Sequence, residues 1–285
     1  MKLLRVGSKD AERPAVLDGE GRLRDLTGVL NGADLDGRFL AGDGVERVRA
    51  ALADDDLPVL DAEGLRIGAP VARPGKVVCI GLNYRDHAAE SGAAIPDEPV
   101  VFMKASNTVV GPFDDVLVPR KSEKTDWEVE LAVVIGKTAR YLESHEDALS
   151  VIAGYAISND VSEREFQLER GGQWDKGKSC ETFNPLGPWL VTADEVPHPQ
   201  SLGLRLWVNG ELRQNGDTKD MVFEVAEIVR YLSWFMVLDP GDVINTGTPA
   251  GVALGMPSQP YLRKGDVMEI EIDGLGRQRQ TVGQA

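Results

Sequence analysis

Glu128 and Glu130 stand two positions apart, just ahead of the run Leu131-Ala132-Val133-Val134-Ile135-Gly136. That run is apolar and partly β-branched, and a glycine closes it, so it reads as a buried β-strand. Side chains alternate faces along a strand. Trp127, Val129, Leu131 and Val133 therefore share one face, while Glu128 and Glu130 share the other with Ala132 and Val134. With a rise of ~3.3 Å per residue the two carboxylates lie about 6–7 Å apart. Two like charges that close are costly to bury unless something positive stands between them. A solvated acidic edge strand is the alternative, and the continuation into Ala-Val-Val-Ile argues against it. A divalent cation is the simplest solution. Asp160 ends the apolar stretch Ala153–Asn159 and is placed to add a third carboxylate.

Proton transfer has a candidate pair in His87 and Glu90. The spacing predicts a short helix capped by Asp86 and closed by Gly92, with these two residues on one face. A carboxylate beside an imidazole orients it and raises its basicity, as a general base requires. Lys178 lies in the glycine-rich stretch Gly171–Ser179, where it is suited to neutralise an oxyanion. Arg164 and Gln167 are three apart on a helix expected from Ser162 to Arg170. They share a face with each other and with Asp160. Arg164 either supports Asp160 or meets the substrate. Thr246-Gly247-Thr248-Pro249-Ala250-Gly251-Val252 is a loop whose backbone N–H groups and Thr248 hydroxyl can hold a carboxylate. Cys180 has no histidine beside it in sequence and is a poor candidate nucleophile.

The elements that position these residues divide at Ala69–Gly75, where two prolines and a glycine interrupt regular structure. Residues 1–72 read as a small N-terminal α/β cap or interface domain, with a strand at Leu3–Val6, a hairpin at Ala15–Leu23 and a helix at Val45–Ala53. Residues 73–285 read as the catalytic domain, mainly β with some helix. Strands are expected at Lys76–Gly81 and Pro99–Lys104, and a helix at Glu143–Ile152 capped by Ser144. Asn209-Gly210 predicts a hairpin turn between Leu202 and Arg213. An amphipathic helix is expected over Val222–Phe235, and a final strand pair over Leu262–Ile272 around Lys264-Gly265-Asp266.

Composition narrows the partners. The 285 residues are 42% hydrophobic and 27% charged, ordinary for a globular protein. A formal net charge of −15 disfavours nucleic acid and anionic membranes. No apolar run approaches the ~20 residues of a membrane span. Met1–Val6 lacks a signal-peptide core, so a cytoplasmic location is expected. Two cysteines are too few for a disulfide scaffold, and three histidines nearly exclude a His-rich zinc site. Gly172–Ser179 fits G-x-x-x-x-G-K-S, yet no buried strand precedes it and Pro185 ends any following helix early. A nucleotide site is therefore not expected there.

Several separated motifs together resemble the fumarylacetoacetate hydrolase family. They are Gly81-Leu82-Asn83-Tyr84 with His87 and Glu90, Phe102-Met103-Lys104, Glu128-Val129-Glu130, Asn159-Asp160-Val161-Ser162, Gly177-Lys178-Ser179 and Thr246–Val252. The resemblance covers about residues 74 to 280 and implies a mixed β-sandwich roll, usually dimeric. It implies that Glu128, Glu130 and Asp160 bind Mg²⁺ or Mn²⁺, and that His87 and Glu90 lie on a lid. Gln167 and Lys178 would flank the reacting carbonyl, and Thr248, Lys104, Arg164 and Tyr84 would contact substrate. The implied activity is hydrolytic C–C cleavage of a 2,4-diketo acid. Gln173–Cys180 with Gly187-Pro188-Trp189 is similar to the branch handling sugar-derived substrates. L-2,4-diketo-3-deoxyrhamnonate or its fuconate epimer is the expected substrate, placing the chain in L-rhamnose or L-fucose catabolism. Decarboxylation of oxaloacetate and isomerisation of a hydroxymuconate-type diacid are alternatives at the same site. A non-catalytic metal-binding protein is the alternative from another class.

Overall fold

The computed structural model describes every residue except Ala62 and Ser91. Among the described residues two large sheets and one two-stranded ribbon form. The larger runs, in spatial order, Leu23–Asp25, Arg13–Leu17, Lys2–Val6, Asn184–Thr192, Ile152–Asn159, Val129–Ile135, Val243–Asn245, Val77–Gly81 and Val100–Lys104. The smaller runs Glu211–Asp217, Gly203–Val208, Val267–Ile272, Gly276–Gln284 and Val116–Val118. Most neighbours are antiparallel. Val243–Asn245 runs parallel to Val77–Gly81, and Val116–Val118 parallel to Gly276–Gln284. The result is the mixed β-sandwich expected, with no closed barrel.

The strand Val129–Ile135 is buried along its whole length. Trp127, Val129, Leu131, Val133 and Ile135 enter a core shared with Leu204, Leu206, Met268 and Ile270 of the smaller sheet. Ala132 and Val134 enter a second core with Leu3, Val16, Phe39 and Leu190. Each fully buried aliphatic or aromatic side chain contributes about 1.5–3 kcal/mol relative to exposure. Slipping this strand by one residue would turn both glutamates into the inter-sheet core. Its register is therefore strongly fixed, and so is the direction of Glu128 and Glu130.

The N-terminal strands join the same sheet, with Lys2 opposite Val191 and Leu3 opposite Leu190. Arg66 adds a polar clamp, 2.7 Å from Glu12 and 2.5 Å from Asp114. Helix Gly44–Ala53 falls where spacing placed it. Helix His145–Ser150 carries the Ser144 cap, with Asp147 completing a capping box. Asn209 and Gly210 turn with φ of 52° and 78°, as a primed hairpin turn requires.

Three expectations shift. Ser162–Glu163 is a strand paired with Thr125–Asp126, because the Glu163 carboxylate is drawn inward to Thr125 Oγ1 at 3.0 Å. The helical turn that follows is a π-helix over Glu165–Glu169. The last strand pair turns at Asp273–Leu275, and Lys264-Gly265-Asp266 only leads into its first strand. Ser91, inside the helical stretch expected after Asp86, lies outside the described residues. Among the described residues no helix is long and apolar enough to cross a membrane.

Candidate active site

Sheet pairing gathers the three carboxylates. Val129 lies opposite Asn159 on the neighbouring strand, so Glu128, Glu130 and Asp160 meet at one end of two central strands. One oxygen from each lies within 4.8 Å of the others, and all three residues are buried. Asn159 fixes the local backbone by accepting from Glu128 N at 3.1 Å.

Cations already brace two of the three. Glu128 is held by Arg164 Nη2 at 2.7 Å and Lys178 Nζ at 2.8 Å. Asp160 is held by Lys178 Nζ at 2.9 Å and by Lys104 Nζ. Glu130 receives Gly247 N–H at 2.7 Å, and no lysine or arginine pairs with it among the described residues. The pKa directions follow. Burial pushes Glu128 up, but Lys178 and Arg164 outweigh it and hold its carboxyl well below the usual range. Burial, then Asp160 and Glu128, push Glu130 far up, against the opposing pull of Lys178 and the Gly247 N–H. Burial opposes the charge on Lys178, and Asp160 and Glu128 overcome it to raise its pKa. A cluster of hard oxygen donors with one carboxylate short of positive charge fits a hard divalent cation.

His87 and Glu90 sit on helix Arg85–Glu90, with His87 Nδ1 3.0 Å from Glu90 Oε1. Both Glu90 oxygens accept from Gly251 N at 3.0 Å. Gly251 has φ +109°, and a Cβ there would lie 1.9 Å from the Arg213 carbonyl oxygen. Glycine is thus required for this loop to reach Glu90. The Nδ1 contact with a carboxylate places the neutral imidazole proton on Nδ1, which makes Nε2 the basic atom.

A cavity of about 230 Å³ joins these groups. His87, Glu128, Glu130, Arg164, Gln167, Lys178 and Thr248 all line it. Gln167 Oε1 accepts from Arg164 Nη1 at 3.1 Å, so its amide N–H₂ end is left for a ligand. The Thr248 hydroxyl donates to Val129 O and accepts from Gln214 Nε2, each at 2.8 Å.

Two residues expected at the substrate lie elsewhere. Lys104 is not among the cavity-lining residues; its ammonium is buried on Asp160 and the Val161 carbonyl at 3.0 Å. Tyr84 is fully buried in the inter-sheet core, again off the cavity wall. Arg164 does line the cavity, but it supports Asp126 and Glu128 and not Asp160. The Lys178 ammonium is enclosed by carboxylates and its helix, Asp175–Lys178, has four residues. That is no phosphate cradle. Cys180 is half-buried, and burial with Glu163 nearby pushes its thiol up to about 11. Iodoacetamide labelling of Cys180 is therefore expected to be slow at neutral pH and to accelerate as pH approaches that value. Fast labelling at pH 7, read by intact mass, would contradict it.

Sequence reasoning missed Asp126 and Gln214. Asp126 accepts from Arg164 Nε at 2.9 Å, Ala253 N at 2.8 Å and Leu254 N at 3.0 Å. It joins the arginine clamp to the chain just past the Thr246–Val252 loop. Gln214 joins Val129 N to Thr248 and Pro249 O. Asp126 had a signal, its place in the same alternating acidic stretch. Gln214 had none, since its partners are remote in sequence. Asp126→Asn leaves the buried Arg164 charge with Glu128 as its one carboxylate partner and is expected to cost about 3 kcal/mol. Urea unfolding measures this, and an unchanged midpoint would refute the clamp.

Residues 76–283 match the family model described as "Fumarylacetoacetate (FAA) hydrolase C-terminal". A Burkholderia ambifaria protein named "Putative hydrolase" is 53% identical, with 100% of both chains covered. The chain belongs to the fumarylacetoacetate hydrolase family. A fumarylacetoacetate hydrolase structure from Exiguobacterium antarcticum is similar at TM-score 0.86 and 37% identity, covering 100% of both chains. The maleylpyruvate hydrolase of Sphingobium sp. SYK-6, solved with manganese(II) and pyruvate, is similar at TM-score 0.82 and 32% identity, with 100% of both chains covered. A 5-carboxymethyl-2-hydroxymuconate delta-isomerase from Mycobacterium smegmatis is similar at TM-score 0.78 and 30% identity, covering 100% of this chain and 99% of that one. Hydrolases and isomerases of this family thus share the fold.

Proposed function

We propose that the chain hydrolyses the C3–C4 bond of a 2,4-diketo acid. L-2,4-diketo-3-deoxyrhamnonate, the same compound that the L-fuconate series gives because C5 is its one stereocentre, is the specific substrate proposed, giving pyruvate and lactate. The observation that carries the reading is one cavity lined by Glu128, Glu130 and a carboxylate-oriented His87, with Asp160 buried behind the wall and completing the three-carboxylate cluster. Isomerisation needs only proton transfer. A base beside an ammonium and an amide suits attack of water on a carbonyl.

Glu128, Glu130 and Asp160 would hold Mg²⁺ or Mn²⁺, which when bound acts as a Lewis acid toward the 2-oxo acid end of the substrate. His87 Nε2 takes a proton from water as the oxygen attacks C4, and Glu90 stabilises the imidazolium. An ammonium has three N–H donors. Lys178 uses two on Glu128 and Asp160 and has one left for the C4 oxyanion, beside the Gln167 amide. The C3–C4 bond then breaks. Its electron pair leaves as the pyruvate enolate, His87 returns the proton to C3, and C4 becomes the lactate carboxyl. The loop at Thr248, whose hydroxyl is spent on Val129 O, orients the substrate's carboxylate end through its backbone. A homodimer or larger homo-oligomer belongs to the same reading and is checked by light scattering.

The test supplies 2,4-diketo-3-deoxyrhamnonate, acetylpyruvate, maleylpyruvate and oxaloacetate in ¹⁸O-water. Pyruvate with labelled lactate is expected from the first. Pyruvate from oxaloacetate alone would move the reaction to decarboxylation, and isomerised diacid without cleavage would move it to isomerisation.

A further inference from the structure

We infer that the cavity selects diketo acids with a short, uncharged tail, and that Trp174 sets that limit. The inference rests on the hydrolase reading above and specifies its substrate.

The cations on the cavity wall already have carboxylate partners. Arg164 and Lys178 are the only lysine or arginine side chains lining it among the described residues. Arg164 is held by Asp126 and Glu128, and Lys178 by Glu128 and Asp160. The rest of the wall is largely apolar, with Ile80, Leu82, Phe102, Leu168, Trp174 and Leu254. A diketo acid whose 2-oxo acid end lies at the triad must send its tail along this wall. A neutral tail there gains apolar contact. A second carboxylate there would lose water while Arg164 and Lys178 are already committed to carboxylates.

Trp174 is built into the wall. Its indole meets the Phe102 ring edge-on at 5.4 Å. The strand beneath makes room for it at Gly81, where a Cβ would lie 2.6 Å from the indole Cζ3. Trp174 is one turn before Lys178, whose ammonium lies 4.9 Å from the same Phe102 ring. The tail wall and the oxyanion donor are therefore parts of one packed unit. The volume of about 230 Å³ is below that of sites for larger ligands.

The experiment compares 2,4-dioxoheptanoate with 2,4-dioxoheptanedioate, which differ in ending with a methyl or a carboxylate. Pyruvate release gives kcat/KM for each. The neutral acid is expected to be favoured by about 100-fold or more. Leu168→Arg, at a position 43% exposed and on the cavity wall, should narrow that ratio at least about tenfold. Trp174→Ala should shift preference from 2,4-dioxopentanoate toward 2,4-dioxodecanoate by about tenfold. If that variant does not fold, Trp174→Phe should shift it in the same direction by less. Equal kcat/KM for the two seven-carbon acids would overturn the inference and leave the hydrolase reading standing. An unmoved ratio in Leu168→Arg, or unmoved length preference in the Trp174 variants, would overturn it too. Pyruvate from neither acid, nor from any 2,4-diketo acid, would overturn both.

Discussion

His87→Ala is expected to lower kcat for diketo-acid hydrolysis by about 10²–10⁴-fold, the usual worth of a positioned general base. The reason is geometric. His87 lines the cavity, and its Nδ1 is 3.0 Å from Glu90. Glu90 is independently fixed by Gly251 N at 3.0 Å. Removing the imidazole therefore leaves Glu90 anchored, and divalent-cation affinity should be retained. Glu90→Gln is expected to lose less, about 10–100-fold. Glutamine offers one acceptor oxygen where Glu90 uses two, so the histidine and Gly251 compete for it. Steady-state kinetics with cation titration by calorimetry separates the effects. Full hydrolysis by His87→Ala would remove the base from the scheme.

Lys178→Met should have the other large effect, on rate and on stability together. The loss of the oxyanion donor is expected to lower kcat/KM by about 10²–10³-fold. The same change leaves Glu128 and Asp160 buried without the ammonium that bridges them at 2.8 and 2.9 Å. Breaking a buried ion pair on one side costs about 3–5 kcal/mol. Arg164 and Lys104 remain on those carboxylates, which puts the expected loss at the lower end. Added Mg²⁺ or Mn²⁺ should restore stability more than rate, because a cation can replace the charge but not the N–H donor. Denaturant midpoints with and without cation measure this. A variant with unchanged midpoint and unchanged kcat/KM would show that Lys178 is neither bridge nor donor.

How much of this was legible in the sequence depended on the range of the interaction. The strand at Val129 declared itself because alternation is local, and its two faces do enter two different cores. The helix at His145 and the Asn209-Gly210 turn were local in the same way. The acidic triad needed one further step, that two apolar stretches ending in carboxylates lie side by side. Helical spacing also put Arg164 beside Gln167, though through a π-helical turn. What stayed hidden was long-range and polar. Lys104 read as a residue at a strand end, open to substrate, and its burial on Asp160 is a contact 56 residues distant in sequence. The family resemblance put Tyr84 at the substrate, and the inter-sheet core absorbs it. Asp126 and Gln214 organise the stretch from Thr248 to Leu254 through contacts more than 30 residues distant, which no periodicity records.

The central claim is that Glu128, Glu130 and Asp160 hold the cation on which cleavage depends. Its most direct measurement is pyruvate release from a 2,4-diketo acid by enzyme stripped with chelator and then titrated with Mn²⁺. The expected result is that activity vanishes on stripping and returns in step with one bound Mn²⁺ per chain. Glu130→Gln should bind Mn²⁺ at least about tenfold more weakly. Undiminished pyruvate release from fully stripped enzyme would contradict the claim.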